Sequence, residues 1–221
     1  MLYPHGQTMD IMCDTGTVLG KQKALHVVLL LLDMEAKAEG SKKHVFLPTW
    51  AADIVHFDHL EIQRGKYENF KVEHMKKYDL VAAGEGNFSF TEFATHRDSM
   101  YAALKIIQLL SKHEVTLSEL IASIPSFYYH MSQSVCTQAL KGKMMRMFLE
   151  DAKGKESSTL DGVKIWLDKN DWILMIPDQY NDHLNLYIQA ENEKKGQAIL
   201  TEYTSKTVSY THLRAHETSV N

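Results

Sequence analysis

Apolar positions recur along the chain at two periods, and the change from one to the other marks out its elements. Residues 22–36, QKALHVVLLLLDMEA, are good helix formers. Val27–Leu32 is apolar at every position, so this helix is expected to be buried on most sides, and Glu39-Gly40-Ser41 ends it. Before it, residues 10–19 read as two short strands around an Asp-Thr-Gly turn. After it, Val45–Leu47, Glu61–Arg64 and Leu80–Ala83 read as strands, the first closed by Pro48 and the second broken by Gly65. Between the first two, Ala51–Leu60 has apolar residues at 51, 54, 55, 57 and 60, a spacing that predicts a helix. Glu68–Lys77 reads as a polar helix, and Gly84-Glu85-Gly86-Asn87 as a turn. Arg97–Ser111 gives the clearest helical pattern, with Tyr101, Leu104, Ile107 and the pair Leu110/Ser111 on one face. A shorter helix opens at Ser118 and stops at Pro125.

A different order follows. Phe127–Cys136 is strand-like, and Thr137–Asp151 is helical with methionines at 144, 145 and 147. That methionine stretch reads as core filling rather than a binding face. After the polar linker Lys153–Ser158 come strand-like runs at Val163–Leu167, Trp172–Ile176 and Leu184–Ala190, with a turn at Asp168–Asp171. A helix over Glu193–Thr204 closes the series. The expected fold is therefore α/β with a mixed, mostly parallel sheet over residues 10–125, then a small α+β domain over residues 127–206. Residues 207–221, TVSYTHLRAHETSVN, lack periodicity and resemble a translated cloning-adaptor sequence, so they are expected to be a non-native tail.

Composition narrows the function classes. With 24 Lys+Arg against 28 Asp+Glu, spread along the chain, there is no basic stripe for nucleic acid. The longest apolar run is far short of the roughly 18 residues of a membrane span. The N-terminus has no signal-peptide pattern. Cys13 and Cys136 form no CxxC pair and fit a reducing, cytoplasmic setting. His56 and His59 sit three residues apart without a third ligand, which fits a helix surface better than a metal site.

Motifs in four places, in chain order, carry a family resemblance over roughly residues 3–206. These are Pro4-His5-Gly6-Gln7-Thr8; Gly84-Glu85-Gly86-Asn87; Thr91-Glu92-Phe93 through His96-Arg97-Asp98; and Ile176-Pro177-Asp178-Gln179-Tyr180-Asn181-Asp182. Together they resemble the metal loop, the sugar-recognition loop, a Pro-Glu-Phe…Gly-Arg-Asp-Gly segment and the phosphate-gripping loop in the C-terminal half of the α-D-phosphohexomutases, the phosphomannomutase/phosphoglucomutase family. The resemblance implies that residues 1–9 are a remnant of the preceding domain. It also implies that the two expected units correspond to the family's third and fourth domains.

The same resemblance marks where the chemistry departs from the family. Tyr3, His5 and Gln7 stand where the family has three Mg²⁺-binding aspartates, and Thr8 stands where it has arginine. Mg²⁺ requires anionic oxygen ligands, so no metal and no cofactor is expected here, although the parent family uses Mg²⁺. Glu85 and Asn87 match the residues that read sugar hydroxyls, and Lys66 is a third sugar-binding candidate. Phe88 replaces a close-approach glycine. For Arg97 and Asp98 a structural role is favoured, with Asp98 near a helix start. In the last loop Ile176 removes the cation, Asp178 sets a negative charge where a dianion would sit, Gln179 and Tyr180 fill the turn, and only Pro177 is kept. Losing about three charge-assisted hydrogen bonds costs on the order of 5 kcal/mol.

The implied function is a degenerate, non-catalytic phosphohexomutase-like module of a larger sugar-phosphate or nucleotide-sugar protein, of the kind fused to bacterial mannose-1-phosphate guanylyltransferases. The alternative is a fragment of an active phosphomannomutase/phosphoglucomutase that moves a phosphoryl group within a hexose phosphate. A sugar or sugar-nucleotide sensor is a third reading. The expected partners are the N-terminal domains of the parent chain and a hexose phosphate or nucleotide sugar, with no nucleic acid and no membrane. Strand edges left uncovered would favour a homo-oligomer.

Overall fold

The computed structural model describes residues 1–67 and 72–217, with side chains through Thr207. The chain divides into two compact units, Met1–Pro125 and the residues from Ser126 onward.

In the first unit a helix, α1 (Lys21–Glu39), is buried on most sides, as its apolar run predicts. Leu25, Val27, Val28, Leu29, Leu31 and Leu32 are all within the core. Gly40 adopts φ 63° and ends the helix, and the N–H groups of Gly40 and Ser41 return to the carbonyls of Lys37 and Ala36. Strands β1 (Lys43–Pro48) and β2 (Leu60–Gly65) run parallel. A short helix, α2 (Val72–Met75), occupies the end of the stretch expected to be helical over 68–77; residues 68–71 lie outside the described residues. Strand β3 (Leu80–Ala82) pairs parallel to β1, and β4 (Phe88–Phe90) pairs antiparallel to β3. The sheet order is β2-β1-β3-β4, a mixed and mostly parallel α/β layer. Helices α3 (Ser99–Lys112) and α4 (Leu117–Ser123) complete the unit. Asp98 caps α3 by accepting from the N–H of Tyr101 at 2.8 Å, and Thr116 with Glu119 forms a reciprocal capping box on α4.

Three sequence expectations fail in this unit. The segment 51–59 is not a helix, although Ala51 and Phe57 are buried as its spacing required. Its backbone groups are bound from outside. The N–H of Ala52 donates to Gln22 Oε1 at 2.8 Å, and Arg64 donates to the carbonyls of Ala51 at 2.6 Å and Ala52 at 3.2 Å. Side chains thus supply what an i→i−4 ladder would have supplied. The apolar face of α3 is also misassigned. Ala102, Ile106 and Leu109 are buried, whereas Leu104 and Ile107 are 65% and 62% exposed. The buried face includes a charged residue, Lys105, whose ammonium meets Glu35 at 3.2 Å and Glu92 at 2.8 Å. Finally, residues 10–19 form a single isolated antiparallel bridge, Met12 with Val18, around the Asp-Thr-Gly turn rather than two strands; after Asn87, β4 closes a hairpin over residues 80–90.

The second unit is a five-stranded antiparallel sheet with two helices on one face. Its elements are β5 (Tyr128–Val135), α5 (Gln138–Asp151), β6 (Ser157–Ser158), β7 (Val163–Trp166), β8 (Trp172–Pro177), β9 (His183–Ala190) and α6 (Glu193–Glu217). The strand order is β5-β9-β8-β7-β6. Ile165, Ile173, Met175, Leu186 and Ile188 pack with Met144 and Phe148 of α5 and Tyr203 of α6. The closing helix, expected to stop at Thr204, continues to Glu217, and no Gly or Pro interrupts it over 205–217. Among the described residues no helix is long and apolar enough to cross a membrane.

Candidate functional site

In an open α/β layer, ligands are taken at the carboxyl ends of the parallel strands. Here those ends carry Thr49-Trp50 after β1, Lys66-Tyr67 after β2 and Gly84–Asn87 after β3. The last of these is a tight turn. Gly84 and Gly86 have φ of 74° and 79°. A Cβ at Gly86 would lie 2.4 Å from the carbonyl oxygen of Met9, so glycine is required there both by conformation and by close approach.

Three hydrogen bonds fix this turn, and a further set holds the segment at Met9 that supports it. Asn87, only 2% exposed, accepts from the N–H of Ala83 through Oδ1 at 3.1 Å. Gln22 of α1 donates to the carbonyl of Gly84 at 2.9 Å while its Oε1 holds Ala52. Met9 N–H donates to the carbonyl of Gly86 at 2.8 Å. Lys21 binds the carbonyl of Met9 and pairs with the Asp10 carboxylate, which also accepts from Tyr3 Oη at 3.0 Å. The structure therefore commits the Asn87 carbonyl oxygen to the backbone and leaves Glu85 exposed at the tip. Desolvation by the surrounding protein pushes the Glu85 carboxyl up, against the pull of Arg97 and Lys21. Lys66 is exposed just past β2. Beside it, Arg97 Nε donates to Tyr67 Oη at 3.2 Å, with the guanidinium 5.2 Å from the ring centroid. Burial raises the Tyr67 phenol while Arg97 pulls it down.

The loop over residues 3–8 rests on α3. Ser99, fully buried, donates through both N–H and Oγ to the carbonyl of Gly6, at 2.9 and 2.8 Å. Within the loop His5 Nδ1 accepts from Gln7 N–H at 3.1 Å, and the rings of Tyr3 and His5 stack at 5.9 Å. Tyr3, His5, Gln7 and Thr8 bring no carboxylate to this loop, and the nearby Asp10 is already paired with Lys21. Among the described residues there is no cluster of three or more His, Cys, Asp or Glu side chains suited to a metal ion. This donor set does not fit Mg²⁺.

In the second unit the loop between β8 and β9 folds around its own carboxylate. Asp178 Oδ1 accepts from the N–H of Tyr180 at 2.9 Å, the N–H of Asn181 at 2.8 Å and Asn181 Nδ2 at 3.2 Å. These donors, the Asn181 N–H first, hold the Asp178 carboxyl below the usual carboxylate range. Lys141 of α5 spans the loop from below, donating to the carbonyls of Asp178 and Asn181. Ile176 and Pro177 are half-buried at the end of β8, Gln179 is exposed, and Tyr180 projects into solvent at 86% exposure.

Comparison with known proteins places this geometry. A family model described as phosphoglucomutase/phosphomannomutase, alpha/beta/alpha domain III, matches residues 68–128. A probable phosphoglucosamine mutase of Methanobrevibacter smithii is 26% identical over 128 residues, covering 55% of this chain and 28% of that protein. Over residues 68–128 the chain is similar to domain III of the phosphoglucomutase/phosphomannomutase family. Solved phosphohexomutases share its fold. A phosphoglucomutase/phosphomannomutase family protein of Burkholderia thailandensis superimposes with a TM-score of 0.70 at 14% identity, covering 93% of this chain and 45% of that one. An N-acetylphosphoglucosamine mutase of Aspergillus fumigatus, solved in complex with GlcNAc-6P and magnesium, superimposes with a TM-score of 0.62 at 9% identity, covering 93% of this chain and 47% of that one. The chain thus spans under a third of the curated relative and under half of either solved phosphohexomutase.

Against that phosphohexomutase background, several residues that shape the site gave no sequence signal. Gln22 looks like one more helix former, yet it ties the turn to the loop after β1. Lys141 looks like a surface lysine and is 6% exposed. Both act on backbone carbonyls far away in sequence, and no local spacing encodes that. Ser89 was detectable in principle, because it is the polar member of an alternating Phe-Ser-Phe strand.

Proposed function

We propose that this chain is a non-catalytic phosphohexomutase-like module of a larger sugar-phosphate or nucleotide-sugar protein, of the mannose-1-phosphate guanylyltransferase type. One observation carries the reading. The loop resembling the family's phosphate grip has its N–H donors filled by the Asp178 carboxylate. A phosphate there would have to displace a carboxylate that is part of the chain, without the arginine that Ile176 replaces. The loop at residues 3–8, with its internal Tyr3–His5–Gln7 contacts and no carboxylate, supports the same reading, in which Mg²⁺ is not bound.

Glu85 is the one residue of the sugar-recognition loop that remains exposed for a ligand, with Lys66 also exposed past β2. The reading assigns that turn a structural role, because Asn87 and both glycines are consumed in holding it. Phosphoryl transfer relies on positioning and charge stabilisation. With neither a metal loop nor a phosphate loop supplying charge, the module contributes assembly or regulation to its parent rather than chemistry.

The coding sequence upstream of this reading frame tests the proposal. A Gly-rich nucleotidyltransferase start motif supports it. A Thr-Ala-Ser-His-Asn-like loop bearing a serine nucleophile would contradict it and restore the alternative, a fragment of an active phosphomannomutase/phosphoglucomutase.

A further inference from the structure

The first unit contains a cavity of about 410 Å³ whose lining includes none of the residues of the Gly84–Asn87 turn. Its polar wall is Tyr67, Ser89, Thr95, His96 and Arg97, joined by Gln7 from the loop over residues 3–8; Met75 and Val81 form its apolar side. The strand pattern explains why a hydroxyl faces it. Phe88 and Phe90 of β4 belong to the main core, so Ser89 between them points to the opposite face of the sheet, alongside its register partner Val81.

Two features of this cavity call for a ligand. Ser89 is 1% exposed, and its Oγ has no hydrogen-bond partner. A buried hydroxyl without a partner is uncommon in folded proteins and points to a group that completes it. Arg97 supplies the charge. Its Nε is bound to Tyr67 Oη and its plane is held near the Tyr67 ring, while its Nη groups have no partner among the described residues. A guanidinium fixed at one edge and open at the other presents a fork of donors suited to an oxyanion. Thr95, His96 and Gln7 add side chains able to donate to the same ligand.

We propose that this cavity binds a small organic oxyanion, with Arg97 as its charge partner and Ser89 as a buried hydrogen-bond donor. The volume exceeds that of the anionic group alone, and Met75 and Val81 offer apolar surface to the carbon skeleton that carries it. Phosphate monoesters and carboxylates share this chemistry. The site lies in the first unit and stands independently of the reading given to the loop between β8 and β9.

Isothermal titration of the full chain with inorganic phosphate, and separately with acetate, tests the proposal and distinguishes the two sources. Saturable binding of either anion is expected. Affinity should fall about tenfold or more in Arg97→Gln and several-fold in Ser89→Ala, charge-assisted bonds being the stronger kind. Lys37→Ala, in the exposed last turn of α1 and outside the lining, should leave affinity within about twofold. Should Arg97→Gln fail to fold, the Arg97 Nε resonance of the unaltered chain is followed on phosphate addition and is expected to shift with saturation. Absence of saturable binding at millimolar anion would overturn the proposal, as would binding unchanged in both variants or an Arg97 resonance that does not move.

Discussion

Asp178 does inside its own loop what a bound anion does elsewhere: it gathers the N–H groups of Tyr180 and Asn181 onto one oxygen. Those donors favour the ionised form and depress its pKa relative to the unfolded chain. The stabilisation is therefore present above the unfolded aspartate pKa and lost as pH falls through the lower, folded value. Asp178→Asn should lower the urea midpoint at neutral pH, and the gap to the parent chain should close as the pH is taken from about 5 toward 3. A gap that persists at low pH would mean the carboxylate is not what holds the loop. The sequence made Asp178 legible as an obstacle to phosphate. It could not show that the obstacle is also the loop's organiser, because that depends on where residues 180 and 181 turn back. Asn87 is parallel: the motif named it a sugar reader, and the structure assigns its Oδ1 to the Ala83 N–H.

At the scale of elements, strong periodicity was readable and facing was not. Both Tyr101/Leu104/Ile107 and Ala102/Ile106/Leu109 lie at helical spacing on α3, and a lone Lys105 among the second set argued against burying it. Glu35 of α1 and Glu92 resolve the matter by pairing with that lysine, a partnership across 70 residues of chain for the first of them. The assignment is testable by paired substitutions read as urea midpoints. Leu109→Ala should cost about 2–5 kcal/mol as a core cavity, whereas Leu104→Gln should stay within about 0.5 kcal/mol. Equal effects would return α3 to the face its stronger apolar stripe suggested. The segment 51–59 failed for a related reason. Its apolar spacing is real and buried, but Gln22 and Arg64 satisfy its backbone from outside.

At the scale of the molecule, the alternation of strands and helices up to Pro125, and the strand-rich order after it, gave the architecture of both units. Each has its own apolar core, and fold relatives among the phosphohexomutases extend over 93% of the chain. What composition and pattern could not supply is the state of the loops, since a binding loop and a self-filled loop differ by a few side chains on the same backbone path. The loop between β8 and β9 decides whether the module can grip a phosphate. The decisive measurement is a titration of the isotope-labelled chain with mannose 1-phosphate and glucosamine 6-phosphate, with Mg²⁺ present, following the backbone amides of Tyr180 and Asn181. Because it is read at those two amides, anion binding at Arg97 does not obscure it. Both resonances are expected to stay in place to millimolar ligand; saturating shifts of either at micromolar concentration would mean that the loop takes a phosphate in place of the Asp178 carboxylate.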